Sequence, residues 1–338
     1  MNLKELSDIL GISQTTISRA LNGYPEVNKN TKKRVEEAAL KYGYRPSSVA
    51  RRLAGKKVEA VGVIYPFDES LRSSPVFLEM IRTLSTRLRQ EKIDLFVIPG
   101  NLKEEITLYE RMYTGGRVDS FIVVATRRDD ERIKWLLDKN IPFVSHGRSD
   151  LDKQYSWYDV DNRDGIARAT KTLIEMGHRK IGFINPSDDF NFAWERKQGL
   201  MNTITEYSVG SPVCLEADLE ENAAYRAALK LLTLGSEQRP SAIICSSILN
   251  AKGVLKALAE LQLTLAKDVS VIAWDDDVTD IKIPGMSVIK APARDSGERL
   301  GELMLNILRK DDKQSYQELK KAEVVLNESV RSYEACRA

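Results

Sequence analysis

The sequence has little of what catalysis or covalent cross-linking would need. Histidine occurs twice in 338 residues, so imidazole acid–base chemistry has two candidates, His146 and His178. The three cysteines, Cys214, Cys245 and Cys336, are far apart and form no CxxC pair. That spacing argues against a disulfide framework and against a zinc site. No apolar run reaches the roughly 18–20 residues that a membrane helix requires. The stretch Met1-Asn2-Leu3-Lys4-Glu5-Leu6-Ser7-Asp8 lacks the apolar core and small-residue cleavage site of a secretion signal. A cytoplasmic location is therefore expected. Walker, GxGxxG, HExxH and GxSxG patterns are missing too. An enzyme, for example a cytoplasmic sugar-modifying one, is thus a remote reading, and neither metal nor cofactor is expected.

What is present is an ordinary globular balance of 42% hydrophobic and 30% charged residues, in a chain long enough for two or three domains. The charge is unevenly placed. Residues 1–57 hold twelve Lys or Arg against five Asp or Glu, a net +7, so the overall +2 leaves −5 for the remainder. A basic head on a mildly acidic body is the electrostatic footprint of a nucleic-acid binder.

The head reads as three short helices. Leu3, Leu6 and Leu10 recur at helical spacing, and Gly11 can take the left-handed conformation that ends a helix. Ser13 suits the N-cap of a second helix over 14–21, whose inner edge is Ile17 and Leu21. A third, over about 28–42, turns Val35, Ala38, Ala39 and Tyr42 inward. Two helices joined by a glycine turn and closed by a third make a helix-turn-helix. Gln14, Thr15, Ser18 and Arg19 face outward. Gln can pair with adenine and Arg with guanine, while hydroxyls hold phosphates.

The run Leu6 to Gly23, with Val27-Asn28, Thr31, Arg34-Val35, Ala38-Ala39 and Tyr42-Gly43-Tyr44-Arg45-Pro46, resembles the lactose-repressor/galactose-repressor (LacI) family of transcription regulators. The resemblance implies that Gln14, Thr15 and Arg19 read bases and that Ser13, Thr16, Ser18, Asn22 and Tyr44 mostly hold the DNA backbone. It also implies a hinge helix after Pro46, paired across a dimer in the minor groove. Leu53 would be wedged between base steps there, with Ala50 allowing close approach. Ser47 departs from the asparagine more usual in the family. The expected division is a helix-turn-helix domain over 1–45, a hinge and linker over 46–57, and an effector-binding and dimerisation domain over 58–338.

From Val58 onward, strands and helices alternate. Apolar runs predict strands at about 58–64, 94–98, 120–125, 142–145, 180–184, 242–246 and 269–274, with helices between them. Repeated βα units imply doubly wound parallel sheets in an α/β body of two lobes. The resemblance implies a periplasmic-binding-protein-like body whose chain crosses near 161, 291 and 320. One lobe would then hold about 58–160 and 291–320, the other about 161–290 and 321–338.

Such sheets bind ligands beyond the carboxyl ends of their strands, and a cleft between two lobes can close on a small molecule. Arg196 and Gly199 match the family's Arg-x-x-Gly motif, and Asp275 ends a strand, with Asp276 and Asp277 competing for the same role. An Arg and an Asp can hold adjacent sugar hydroxyls, one donating and one accepting. Trp157, Phe192 and Trp274 could stack on a sugar's apolar face, and Phe67, His146 and Ser247 are further candidates. His178 and Arg148 read as structural. Ser247-Ile248 stand where the family commonly has Asn-Asp, which separates this pocket from lactose- or purine-responsive ones. His146-Gly147-Arg148, Cys245-Ser246-Ser247 and Trp274-Asp275 are similar to regulators of α-glucoside use. The expectation is a repressor with a near-palindromic operator, released by a small carbohydrate. The alternative is co-repression by a purine or a sugar phosphate. A transport-type binding protein would share the body but not the head. Because no heptad tail follows the last strand, the expected assembly is a homodimer.

Overall fold

The computed structural model describes residues 1–21, 24–44, 60–66, 75–101, 104–235, 237–278, 282–309 and 315–333. Asn22, Ala50, Leu53, Phe67 and the expected hinge over 46–57 lie outside the described residues. The chain divides into two compact units, one of residues 1–57 with 114–117 and the other of residues 58–113 with 118–338.

In the head, α1 (Leu3–Leu10) starts at a reciprocal cap. Asn2 accepts from the Glu5 amide, and the Glu5 carboxylate accepts from the Asn2 amide at 3.0 Å. Gly11, at φ 64°, ends the helix. The Ser13 hydroxyl then accepts from the Thr16 amide at 3.2 Å and opens α2 (Gln14–Leu21). Asn28 caps α3 (Lys29–Lys41). Leu6, Ile17, Ala20, Val35, Ala38 and Ala39 form the buried core. Tyr42, expected on the inner side of α3, is exposed, and Tyr44 packs against the core instead. The helix has ended by Tyr42, so the 3.6-residue period no longer sets which way that ring points.

The body holds two six-stranded sheets. The first lobe contains β1 (Ala60–Pro66), β2 (Asp94–Gly100), β3 (Ser120–Val123), β4 (Phe143–His146) and β5 (Trp157–Val160). The second contains β6 (Ile181–Asn185), β7 (Val213–Glu216), β8 (Ala242–Cys245), β9 (Ser270–Asp275) and β10 (Ser287–Lys290). The chain then returns to the first sheet with β11 (Gln317–Lys320) and ends in the second with β12 (Glu323–Val325). The strand orders are β11-β5-β4-β3-β1-β2 and β12-β10-β9-β8-β6-β7. Every pairing is parallel except β10 with β12. The central strands are buried on both faces, which suits their continuous apolar runs.

Helices cover the sheets in packed pairs. In the first lobe α4 (Pro75–Gln90), α5 (Glu105–Thr114) and α6 (Glu131–Asp138) are joined by α11 (Ser296–Leu308), which packs on α4. In the second lobe α7 (Asn162–Glu175) packs on α8 (Asn191–Glu206), and α9 (Glu221–Leu232) on α10 (Ile248–Glu260). Gly199 allows the α7–α8 approach, because a Cβ there would lie 2.3 Å from the Arg163 carbonyl oxygen. The glycine of the Arg-x-x-Gly motif thus has a steric reason to be glycine. Replacing Gly199 by Ala forces the helices apart and should cost about 1–3 kcal/mol, as overpacking does. A urea melt of the variant checks this; an unchanged midpoint would show that the seam tolerates the methyl.

Candidate functional site

A cavity of about 150 Å³ lies between the lobes of the body, where strand carboxyl ends of both sheets converge. It is roughly ten times the space that one buried water needs. Its two walls differ. The first lobe gives a mainly apolar wall of Val76, Phe77, Met80 and Val124, with Tyr65 stacked on Phe77 at 3.6 Å between ring centres and 16° between planes. Polar side chains of Asn162, Arg196, Ser246 and Asp276 face it from the second lobe.

Arg196 is the centre of the polar wall. Only 5% of it is exposed. Its Nε donates to Asn162 Oδ1 at 2.8 Å and its Nη1 to the Ser246 carbonyl at 3.0 Å. The guanidinium lies 3.7 Å from the Trp274 ring centre and 5.0 Å from that of Phe192. Burial lowers its pKa from 12.5 to about 10, against the opposing pull of Asp276 and Asp159, so it remains a cation at neutral pH. Asp276 accepts from the Trp274 indole at 2.8 Å. Burial raises its pKa, and Arg196 and the indole pull it back down. Asp159 forms an ion pair with Arg148 at 2.8 Å. Burial raises the Asp159 pKa as well, against the pull of Arg148, so two carboxyl groups stand beside two guanidiniums at this end of the body.

The structure brings together four of the effector-site candidates: His146, Phe192, Arg196 and Trp274 all line the cavity. Trp274 is 1% exposed and serves as the floor beneath Arg196. Three others are placed elsewhere. Asp275 accepts from the Asp277 amide and meets Lys282 at 3.4 Å, and the lining carboxylate is Asp276, one residue past the strand. Ser247 caps α10 by accepting from the Asn250 amide at 3.0 Å, while Ser246 lines the cavity. Trp157 is the first residue of β5, at the end remote from the cleft, and packs in the first lobe near Arg148. Asp159 and Val160, at the carboxyl end of the same strand, line the cavity instead.

Tyr65, Phe77, Asn162, Ser246 and Asp159 were not singled out from the sequence. Tyr65 and Asp159 could have been found, since each sits at the carboxyl end of a strand. Asn162 and Phe77 are ordinary helix residues whose place follows only from tertiary packing. His178 is buried away from the cavity. Its Nε2 donates to the Arg331 carbonyl at 2.9 Å, which leaves Nδ1 to accept from the Ser241 hydroxyl at 2.9 Å. That satisfies both ring nitrogens.

In the head, Ser13, Gln14, Thr15 and Arg19 are exposed along the start and outer face of α2. Thr16 and Ser18 are half-buried, and Tyr44 is half-buried against the core. Ser13 and Thr16 also exchange a hydroxyl hydrogen bond of 2.8 Å, so part of their polarity caps the helix. Among the described residues no helix is long and apolar enough to cross a membrane, and no cluster of three or more His, Cys, Asp or Glu is placed to hold a metal.

A helix-turn-helix head joined to a two-lobed body with an interlobe cavity defines the class of ligand-controlled DNA-binding regulators. Residues 2–47 match the model of the bacterial regulatory proteins of the lacI family, and residues 170–330 match a periplasmic binding protein-like domain. The HTH-type transcriptional regulator AglR of Rhizobium meliloti is 32% identical over 97% of this chain and 94% of its own length. The Lac repressor dimer bound to operator and the anti-inducer ONPF has the same fold at TM-score 0.78 and 21% identity, covering 98% of this chain and 99% of that one. So does the CelR–cellobiose complex, at TM-score 0.72 and 22% identity, covering 97% and 99%. The chain belongs to the LacI family of bacterial transcriptional regulators. It is a DNA-binding repressor under the control of a ligand, with the fold and relatives of regulators and not of enzymes.

The cavity histidine supplies a pH prediction. Burial lowers the His146 pKa from 6.5 to about 4, and burial lowers that of His178 as well. Between those limits the unfolded chain binds more protons than the folded one, so stability falls as pH drops from about 6.5 toward 4. Urea melts at pH 7 and pH 5 should show this loss, and His146→Gln should shrink it. An identical pH dependence in the variant would place the loss elsewhere.

Proposed function

We infer that the interlobe cavity binds a small uncharged carbohydrate, with an α-glucoside the leading candidate, and that its occupation releases the head from a near-palindromic operator. The observation that carries the reading is the buried Arg196, held by Asn162 and Ser246 over Trp274 and facing an apolar wall across the cavity. A sugar presents hydroxyls on its edges and C–H groups on its faces, and this pair of walls suits both. The presence of two carboxyl groups beside the two guanidiniums favours an uncharged ligand over a phosphorylated one. The cellobiose bound in the CelR complex supports the carbohydrate class.

Gln14, Thr15 and Arg19 are the proposed base readers, with Ser13, Thr16, Ser18 and Tyr44 on the backbone. A homodimer is proposed to present two such heads, as in the Lac repressor dimer on its operator. The exposed Phe96 and Val97 of β2 and Leu78 of α4 support a body-to-body contact. A cytoplasmic location accords with a DNA target. The stacked Tyr65–Phe77 pair also favours a second reading, a flat purine acting as co-repressor.

Thermal melts with maltose, sucrose, purines and sugar phosphates separate the two. A ligand at about 100 times its dissociation constant should add about 2.7 kcal/mol to the native state. Stabilisation by a disaccharide alone is the expected result. A shift only with a purine would transfer the site to the second reading, and a shift only with sugar phosphates would overturn the uncharged-ligand argument.

A further inference from the structure

The seam beside the cavity contains a cluster that ligand contact does not explain. Residues 124–128, after β3, meet residues 190–194 at the start of α8 in the second lobe. Arg127 and Phe190 form an isolated antiparallel bridge. The Asn191 amide donates to the Thr126 carbonyl at 2.9 Å. Phe190 and Ala193, carried by the second lobe, are buried in the first lobe's core. Thr126 itself lines the cavity, so the seam is closed at the edge of the ligand space.

The first-lobe half of this seam is rigidly held. Arg132, Asp130 and Glu105 are each at most 2% exposed. The Arg132 guanidinium donates to Asp130, to Glu105 and, at 3.0 Å, to the Ala125 carbonyl. Asp130 accepts from the Arg127 amide at 3.0 Å. These buried charges fix the backbone that presents Thr126 and Arg128. On the outside, the Arg128 guanidinium lies 4.2 Å from the centre of the Trp194 indole. Arg163 of α7, paired with Glu195 at 2.8 Å, lies 5.4 Å from the same ring. Trp194 therefore has one cationic partner on its own lobe and one across the seam.

The geometry points to Arg128 and Trp194 as a clasp: positioning residues that hold the lobes shut and set effector affinity, although neither lines the cavity. Stacking across the seam favours the closed arrangement before any ligand arrives. Apparent affinity is the intrinsic affinity multiplied by the fraction of molecules that are closed, so a weaker clasp is read as weaker binding with unchanged ligand contacts. Because Arg163 keeps Trp194 in place on the second lobe, Arg128 can be removed without opening a core. The affinity part of this proposal rests on the cavity being the effector site; the closure part does not.

The test uses the full chain with Arg128→Ala, Arg128→Lys and Trp194→Phe, followed by hydrogen exchange without ligand and by titration with maltose. In Arg128→Ala, exchange of residues 190–194 should quicken about two- to fivefold, the worth of one exposed cation–π contact. Away from the seam and from Asp150, which loses its 3.7 Å ion pair with Arg128, both lobes should be unchanged. Maltose affinity should fall by at most that factor, because it follows the closed fraction and exchange follows the open-to-closed ratio, and the two conservative variants should lie between. Unchanged exchange at 190–194 in Arg128→Ala would overturn the clasp, as would faster exchange spread evenly over both lobes. If the unaltered protein binds no maltose, the α-glucoside reading fails, and the ligand-free exchange still decides the clasp.

Discussion

A buried guanidinium has to replace the water it has lost, and in this protein that constraint organises the body. Arg196 does so with the Asn162 side chain, the Ser246 carbonyl and the faces of Phe192 and Trp274. Its partners come from α7, α8 and the ends of β8 and β9, so the second lobe must fold correctly for the cation to be tolerated. The network continues from Asn162 to the Val160 carbonyl at 2.9 Å, at the end of β5 in the first lobe. Asp159 beside it is tied to Arg148. One charge thereby links both lobes across the point where the chain passes between them.

The same arrangement explains why the cavity has two kinds of wall. Polar groups gather where strand ends and helix starts of the second lobe leave donors and acceptors unpaired. The first lobe meets them with residues of its own core, since Tyr65 and Phe77 belong to the cluster that packs β1 against α4. The proposed ligand, with hydroxyl edges and an apolar face, would meet both walls.

Much of this fold was legible because its signals are local and repeated. The helix-turn-helix was announced by Gly11, Ser13 and the apolar spacings Leu3–Leu6–Leu10 and Ile17–Leu21, and the body by apolar strand runs alternating with helices. The strands that escaped were β5, β7, β10, β11 and β12, each of four residues or fewer. β5 carries Asp159 inward, β11 reads Gln-Glu-Leu-Lys, and β12 has three residues. Their place comes from pairing with distant strands, which no local pattern records. At two positions the residue lining the cavity is the neighbour of the one put first: Ser246 beside Ser247, and Asp276, a named competitor of Asp275. Trp157 stands at the start of β5, and an aromatic in a strand gives no sign of which end it occupies. Arg196 of the motif lines the cavity, and the helix contact at Gly199 accounts for the motif's glycine.

Head and body communicate only if a ligand prefers one DNA-binding state, and the same coupling energy must then appear in both affinities. The most direct test is therefore operator binding, measured on a labelled DNA fragment selected by the protein itself, with and without saturating maltose. Both the unaltered chain and Arg196→Met are compared. The account predicts that maltose weakens DNA binding by the unaltered chain and leaves that of Arg196→Met unchanged, while both bind the fragment equally well without sugar. Equal release of both proteins by maltose would contradict the role given to Arg196, and with it the cavity as the effector site.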